Sequence, residues 1–243
     1  MPMIIKGVDQ HAAELAVIER LLLSEPAQAT RNALQAERST LLEALKPRRD
    51  ACCYLDNYFC ESDEWAVIHD LQLEMGSHAA HFDHLLIGRQ LETYVIDSRY
   101  YYSGLACSDG EQGESHHDVP PLQRAARQIR FLRHYLEHNG LLPSRLGVNI
   151  RPLFRPVVLL APLAPLSHPA NGVTPGEEVM RADRFLRTFA RGKVAGMKGL
   201  VGMARQVSTA TLRELSTRLA QRHLPRSVDY AARYGLKPKA AVL

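Results

Sequence analysis

Between residues 65 and 99 one stretch alternates apolar and polar residues and two short apolar runs follow on either side of a turn-like link, which commits the chain to a sheet. "WAVIHDLQL" (65–73) sets Val67, His69, Leu71 and Leu73 against Ala66, Ile68, Asp70 and Gln72, the alternation of a strand. In "HFDHLLIGRQLETYVIDSR" (81–99), two apolar runs, Leu85-Leu86-Ile87 and Tyr94-Val95-Ile96, flank the turn-like Gly88-Arg89-Gln90. A link that short makes residues 82–87 and 91–99 a hairpin.

On either side of these strands the period is helical. Residues 10–24 carry Leu and Ile at helical spacing after a potential cap at Asp9, and a second helix is expected over 27–45, ending before Pro47. A third, "RRDACCYLDNYF", sets Ala51, Tyr54, Leu55 and Tyr58 on one side, and there Cys52 and Cys53 read as packing residues. "PPLQRAARQIRFLRHYLEHNG" is a strong helix, opened by prolines and closed at Gly140. "LGVNIRP" and "PVVLLAPL" read as strands, the second buried on both faces. From about residue 177 the chain turns helical again, most clearly at "TLRELSTRLAQRH". The expected organisation is a helical N-terminal extension (1–45), an α/β core (46–165) and a basic helical C-terminal region (166–243).

The charge is divided along the chain. Residues 151–243 hold 16 Lys/Arg and 5 Asp/Glu, a balance of +11, within totals of 30 and 26. The first 150 residues therefore carry 14 minus 21, or −7. A basic half suits a polyanion such as nucleic acid, or is simply an arginine-rich solvated surface. Arg181, Arg184, Arg187 and Arg191 recur at helical spacing and suggest a phosphate-contacting stripe. The four cysteines show no C-x-x-C spacing and are expected to be free thiols. The opening "MPMIIKGVDQ" turns polar too early for a secretory signal, and the longest apolar run is far short of the roughly 20 residues that span a bilayer. The expectation is a cytoplasmic protein with no membrane partner.

Within the hairpin, Asp83 opens one strand and Asp97 lies near the far end of the other, so a short turn brings both to the same end of the sheet. Arg99, two positions on, shares a face with Asp97. Converging carboxylates repel unless a cation lies between them, and hard oxygen ligands suit Mg²⁺ or Mn²⁺. The plainer alternative is that these aspartates cap strand ends and that Asp97–Arg99 is a surface ion pair. Spacing leaves both readings open.

The motifs "FDHLLIG", "YVIDSRYYYSG" and "PPLQRAARQIRFL", in that order, resemble the nuclease-related domain of the PD-(D/E)XK nuclease superfamily over roughly residues 46–160. The resemblance implies a restriction-endonuclease-like mixed sheet flanked by helices and a metal-assisted cleavage of DNA phosphodiester bonds. It matches Asp83 to the first metal-binding aspartate, Asp97 to the second acid and Arg99 to the motif's lysine. Asp50 stands for the acid on the preceding helix, where the family usually shows a glutamate after glycine, and Gln123 for the helix-opening glutamine. Two departures matter. Asp97 is one methylene shorter than the usual glutamate, and Arg99 stays protonated and cannot act as a base as lysine can. Two outcomes follow: a metal-dependent nuclease using Asp50, Asp83 and Asp97 as ligands, or a nuclease fold that binds DNA with weakened or lost catalysis.

Several further residues have two readings. His78, His81 and His84 recur at three-residue spacing, which alternates faces on a strand and does not form a zinc site. Tyr100, Tyr101 and Tyr102 either divide between core and surface or offer faces to unpaired bases. His116 and His117 read as loop residues. The N-terminal helices are either a homo-oligomerisation element or a flap on the core.

Overall fold

The computed structural model of the chain describes residues 3–9, 12–24, 26–99, 121–160, 179–190, 205–225 and 228–236. In chain order the elements are β1 (Ile4–Lys6), α1 (Ala12–Leu23), α2 (Gln28–Phe59), β2 (Trp65–Met75), β3 (His78–Gly88) and β4 (Glu92–Arg99). They continue with α3 (Pro121–His138), β5 (Ser144–Arg145), β6 (Val148–Asn149), β7 (Leu153–Leu160), β8 (Val179–Arg181), α4 (Ala182–Ala190), α5 (Thr209–Ala220) and α6 (Tyr230–Arg233). Six strands form one mixed sheet of order β1-β2-β3-β4-β7-β8. The pairs β2–β3 and β3–β4 are antiparallel, while β1–β2, β4–β7 and β7–β8 are parallel. A mixed sheet flanked by helices is the restriction-endonuclease-like architecture.

Both faces of the sheet are covered, as the parallel pairs require. On one face Leu132, Tyr135 and Leu136 of α3 and Leu212, Leu215 and Leu219 of α5 pack on Ile68, Leu71, Leu85 and Val95. On the other, Ala51, Leu55 and Phe59 of α2 and Phe185 of α4 pack on Val67, Leu86, Tyr94, Ile96 and Val157. Helix α3 stops at Gly140, whose φ of +59° suits a residue without Cβ, and Leu141 N–H closes the turn on Leu136 O at 3.0 Å. Helix α5 is capped by Ser208, whose side chain accepts from Thr211 N–H at 3.0 Å.

The chain divides into two compact units, Met1–Val8 with Pro47–Leu224 and Asp9–Lys46 with Pro225–Leu243. The second has its own core of Ile18, Leu21, Leu34 and Tyr230. The boundary falls at Pro47, inside α2. Two helices were expected here because proline lacks an N–H and crowds the preceding turn. Instead one 32-residue helix runs through Pro47.

Three other differences have local causes. Strands β1 and β8 are only three residues long and carry no alternation to read. "LGVNIRP" is not a strand of the main sheet: Leu146 and Gly147, with φ of 51° and 77°, form the tip of the small β5–β6 ribbon, the left-handed pair of a tight hairpin. The arginine stripe does not lie on one helix. Arg181 ends β8 and α4 begins at Ala182, while Asp183 sits 3.4 Å from Arg181 and 3.3 Å from Arg187. Arg191 lies outside the described residues.

Gly88 faces Trp65 across the β2–β3 ladder, and a Cβ there would meet the indole at 2.8 Å. Trp65 is itself held between Phe59 and Tyr94, with ring centroids at 6.2 and 5.9 Å. Gly88→Ala is therefore expected to destabilise the protein by about 1–3 kcal/mol in urea unfolding. Trp65→Leu in the same chain should recover most of that loss. If Gly88→Ala is neutral, the indole has room that this packing denies it.

Candidate functional site

The site forms where the alternation of β2 and β3 breaks. The ladder pairs His69 with His84 and Leu71 with Phe82, and between them Asp70 faces Asp83 without a ladder pair. Asp70 has a φ of 51°, a left-handed conformation that costs an L-residue energy and is common at functional sites. Across that residue the faces exchange. Val67 packs with the α2 side, but Leu71 and Leu73 join Ala66 and Ile68 on the α3 side, so the simple alternation expected for 65–73 holds for only part of the strand. The β3–β4 register, His84 on Ile96, sets Asp97 opposite Asp83 one residue further on. Asp70, Asp83 and Asp97 thus form a row across three neighbouring strands, at 1%, 3% and 1% exposure.

Buried carboxylates need compensation. Arg48, on α2, places Nε 2.9 Å from Asp83 Oδ1 and Nη1 3.6 Å from Asp70 Oδ1. His81 bridges the same two residues, bonding Asp70 Oδ1 through Nε2 and lying 3.4 Å from Asp83 Oδ1 through Nδ1. Ser98 N–H donates to Asp83 Oδ2 at 2.9 Å. Burial alone would raise the Asp83 pKa. The Arg48 guanidinium, a hydrogen bond with Asp97 and the nearby histidines overcome it and hold the carboxyl well below its usual range. From α3, Gln128 Nε2 donates to the carbonyl of His81.

Behind the row lies a second polar chain. Ser98 Oγ meets His84 Nε2 at 2.7 Å, and His84 Nδ1 meets His69 Nδ1 at 2.6 Å. His69 Nε2 meets Asp56 Oδ1 at 2.9 Å, and the Cys52 thiol donates to Asp56 Oδ2 at 3.2 Å. Burial, His69 and Arg48 pull His84 down to about 3 against the attraction of Asp83 and Asp70, so the ring is neutral at physiological pH. Burial and Asp56 push the Cys52 thiol up to about 12, so Cys52 is not a thiolate nucleophile. Cys53 is exposed, and Cys52 has polar partners, so neither is the packing residue expected from the helix stripe.

The expected site residues are therefore placed unequally. Asp83 and Asp97 meet. Asp50 is half-buried on α2, roughly 200° around the helix from Arg48, and it is Arg48 that reaches the aspartates. Arg99 closes β4 opposite Leu160, but its side chain lies outside the described residues, as do Tyr100–Tyr102, His116 and His117. Gln123 is exposed on α3, and Gln128, five residues on, is the glutamine bound to the site strand. Two signals could have found the missed residues: a glutamine set among Ala125, Leu132 and Leu136 on an apolar stripe, and a second aspartate, Asp70, in a buried strand.

Residues 44–161 match the family model of the nuclease-related domain, so that part of the chain is similar to this family, which belongs to the PD-(D/E)XK nuclease-like superfamily. No curated protein and no solved structure matches the chain. The family suggests a nuclease-related function, interaction with nucleic acid and a divalent metal. Among the described residues no helix is long and apolar enough to cross a membrane.

The oxygen donors of Asp70, Asp83 and Asp97 are of the kind a hard divalent cation takes. Their arrangement does not fit one. Both oxygens of Asp83 are engaged, Oδ1 by Arg48 and Oδ2 by Ser98, and the guanidinium provides the charge compensation that a metal would bring.

The His84 ring gives the site a pH signature. Unfolded, it protonates near 6.5; folded, it stays neutral down to about 3. The unfolded chain then binds the extra proton, so this contribution is complete above pH 6.5 and is lost as pH falls toward 3. Urea midpoints measured between about pH 4 and 7 should fall with acidification, and His84→Gln should flatten the fall. An unchanged slope in that variant would rule out a neutral buried His84.

Proposed function

We propose that this protein is a nuclease-fold module that binds DNA, and that Arg48 has taken the place of the metal in its carboxylate site, leaving hydrolysis weak or absent. The observation that carries this reading is the Arg48 guanidinium lying against Asp83 at 2.9 Å and Asp70 at 3.6 Å. A nuclease-related domain with an internal cation at its acidic row keeps the fold and the approach to phosphates but has no free ligand set. Arg99 in place of lysine points the same way, because a fixed charge can hold a phosphate but cannot accept a proton from water.

The binding face of this reading is α3. Arg124, Arg127, Arg130 and Arg133 follow at three-residue intervals, a band that winds about half-way round the helix with the last three exposed, and none pairs with a described acidic residue. Gln128, on the buried side of the same helix, anchors it to β3 beside the aspartates. The basic residues of 151–243 add to the field that draws a polyanion in.

The sharper alternative is metal-dependent hydrolysis of DNA with Mg²⁺ or Mn²⁺ held by Asp83 and Asp97. The convergence of three carboxylates favours it, and it requires Arg48 to move away. One experiment separates the two. The purified protein is incubated with linear, circular and single-stranded DNA in Mg²⁺ and Mn²⁺, and binding is followed by fluorescence anisotropy. Binding without cleavage is expected. Cleavage that disappears in Asp83→Ala would overturn the proposal in favour of the nuclease.

Binding should weaken steeply with salt, as phosphate contacts do. Arg127→Ala/Arg130→Ala should lower the log–log salt slope by about 1.8 if each arginine neutralises one phosphate. A slope equal to wild type would remove α3 from the interface.

A further inference from the structure

The far end of the polar chain behind the aspartate row holds a second set of donors, and its chemistry is not that of the row. Cys52 and Asp56 are four residues apart on α2, so their side chains stand one above the other on the helix surface. His69 of β2 faces them, and one ligand atom from each of the three lies within 4.8 Å of the others. We propose that Cys52, Asp56 and His69 form a binding site for a thiophilic divalent cation of the Zn²⁺ class.

Three features carry this. First, the separations fit. Zinc bonds of about 2.0–2.3 Å in a tetrahedron place neighbouring ligand atoms roughly 3.3–3.7 Å apart. Cys52 Sγ to Asp56 Oδ2 is 3.2 Å and Asp56 Oδ1 to His69 Nε2 is 2.9 Å, through the two oxygens of one carboxylate, and one donor atom of each residue lies within 4.8 Å of the others, so the three already converge on one point. Second, sulfur and imidazole select Zn²⁺ over the hard Mg²⁺ that suits an all-carboxylate site.

Third, the histidine is braced from behind. A metal-bound imidazole usually donates its other N–H to a buried partner, which fixes ring and tautomer. With a metal on Nε2, His69 Nδ1–H donates to His84 Nδ1, and His84 Nε2–H donates to Ser98 Oγ, using the contacts of 2.6 and 2.7 Å already present. The metal displaces the thiol proton to solvent, and the protein supplies a thiolate, a carboxylate and a neutral imidazole.

Three protein ligands leave a fourth position, and the Asp56 side chain, 35% exposed, opens it to water. That is the coordination of a reactive or exchangeable ion and not of a closed structural one. The site is separate from the aspartate row but joined to it, because Ser98, at the end of the histidine chain, also holds Asp83 through its backbone N–H.

The test uses the full chain, freed of metal, and Co²⁺ as the optical probe. One equivalent of Co²⁺ should give a thiolate-to-cobalt charge-transfer band that Zn²⁺ abolishes by displacement. Cys52→Ser should eliminate the band, and Asp56→Asn should weaken Zn²⁺ affinity by about tenfold or more. Cys53→Ser and Cys60→Ser, at exposed thiols, and Asp83→Asn, in the other site, should leave it intact. Circular dichroism confirms that each variant is folded, and Asp56→Asn decides the matter if Cys52→Ser is not. No charge-transfer band, a band that survives both Cys52→Ser and Asp56→Asn, or one lost with Cys53→Ser would overturn the proposal. DNA binding is read separately, so failure here leaves the nuclease-fold reading untouched.

Discussion

Three carboxylates buried side by side in a sheet are the constraint around which the rest of the domain is arranged. Left bare, Asp70, Asp83 and Asp97 would cost several kcal/mol each in lost hydration and mutual repulsion. Each neighbouring element gives something against that cost. Helix α2 gives the Arg48 guanidinium, β3 gives His81, and β4 gives the Ser98 N–H. These compensations dictate how closely α2 must approach the sheet and why Ala51, with a small side chain, packs there next to Leu55 and Phe59. The left-handed Asp70 belongs to the same economy of position: a regular strand would carry Leu71 and Leu73 to the α2 side and take them out of the α3–α5 core.

The strands were legible because burial enforces periodicity. The β3–β4 hairpin, the meeting of Asp83 with Asp97, α3 with its glycine stop, and α5 all follow from patterns a chain cannot avoid if it is to bury one face. What was illegible shares a different cause. Arg48 looks like any arginine in "KPRRD", because its role comes from the sheet opposite and not from its neighbours in sequence. Asp70 sat on what alternation marks as a polar position, and no sequence pattern announces a change of face at a single residue. Motif order points to Gln123 at the start of α3, whereas contact with His81 falls to Gln128 and depends on the helix's rotation. Pro47 suggested a break in α2 that the surrounding helix overrides.

Helix α2 shows how one element can serve two chemistries. Arg48, Cys52, Leu55, Asp56 and Phe59 fall at three- and four-residue steps and so share the side turned to the sheet. Along that stripe the cation comes first, the thiol and carboxylate one and two turns later, and the apolar residues between them. The histidine pair crosses beneath, from His69 on β2 to His84 on β3, and reaches β4 at Ser98. The His84 ring is neutral, so its contacts with His69 and Ser98 fix which of its two nitrogens carries the proton.

Charge decides what such a site is good for. A carboxylate row loaded with a divalent metal attracts a phosphodiester, but the same row without metal repels it. A protein that keeps this fold for binding and lacks the metal must therefore cancel the row internally. The Arg48 guanidinium, lying against both Asp83 and Asp70, supplies the opposite charge, and the Ser98 N–H adds a hydrogen bond to Asp83. Arginine suits this better than lysine, because its planar fork spans two carboxylates at once and its proton cannot be lost. On the proposed reading Arg48 and the expected role of Arg99 amount to one change and not two: each would put a charge that stays where a metal or a proton-moving lysine would act.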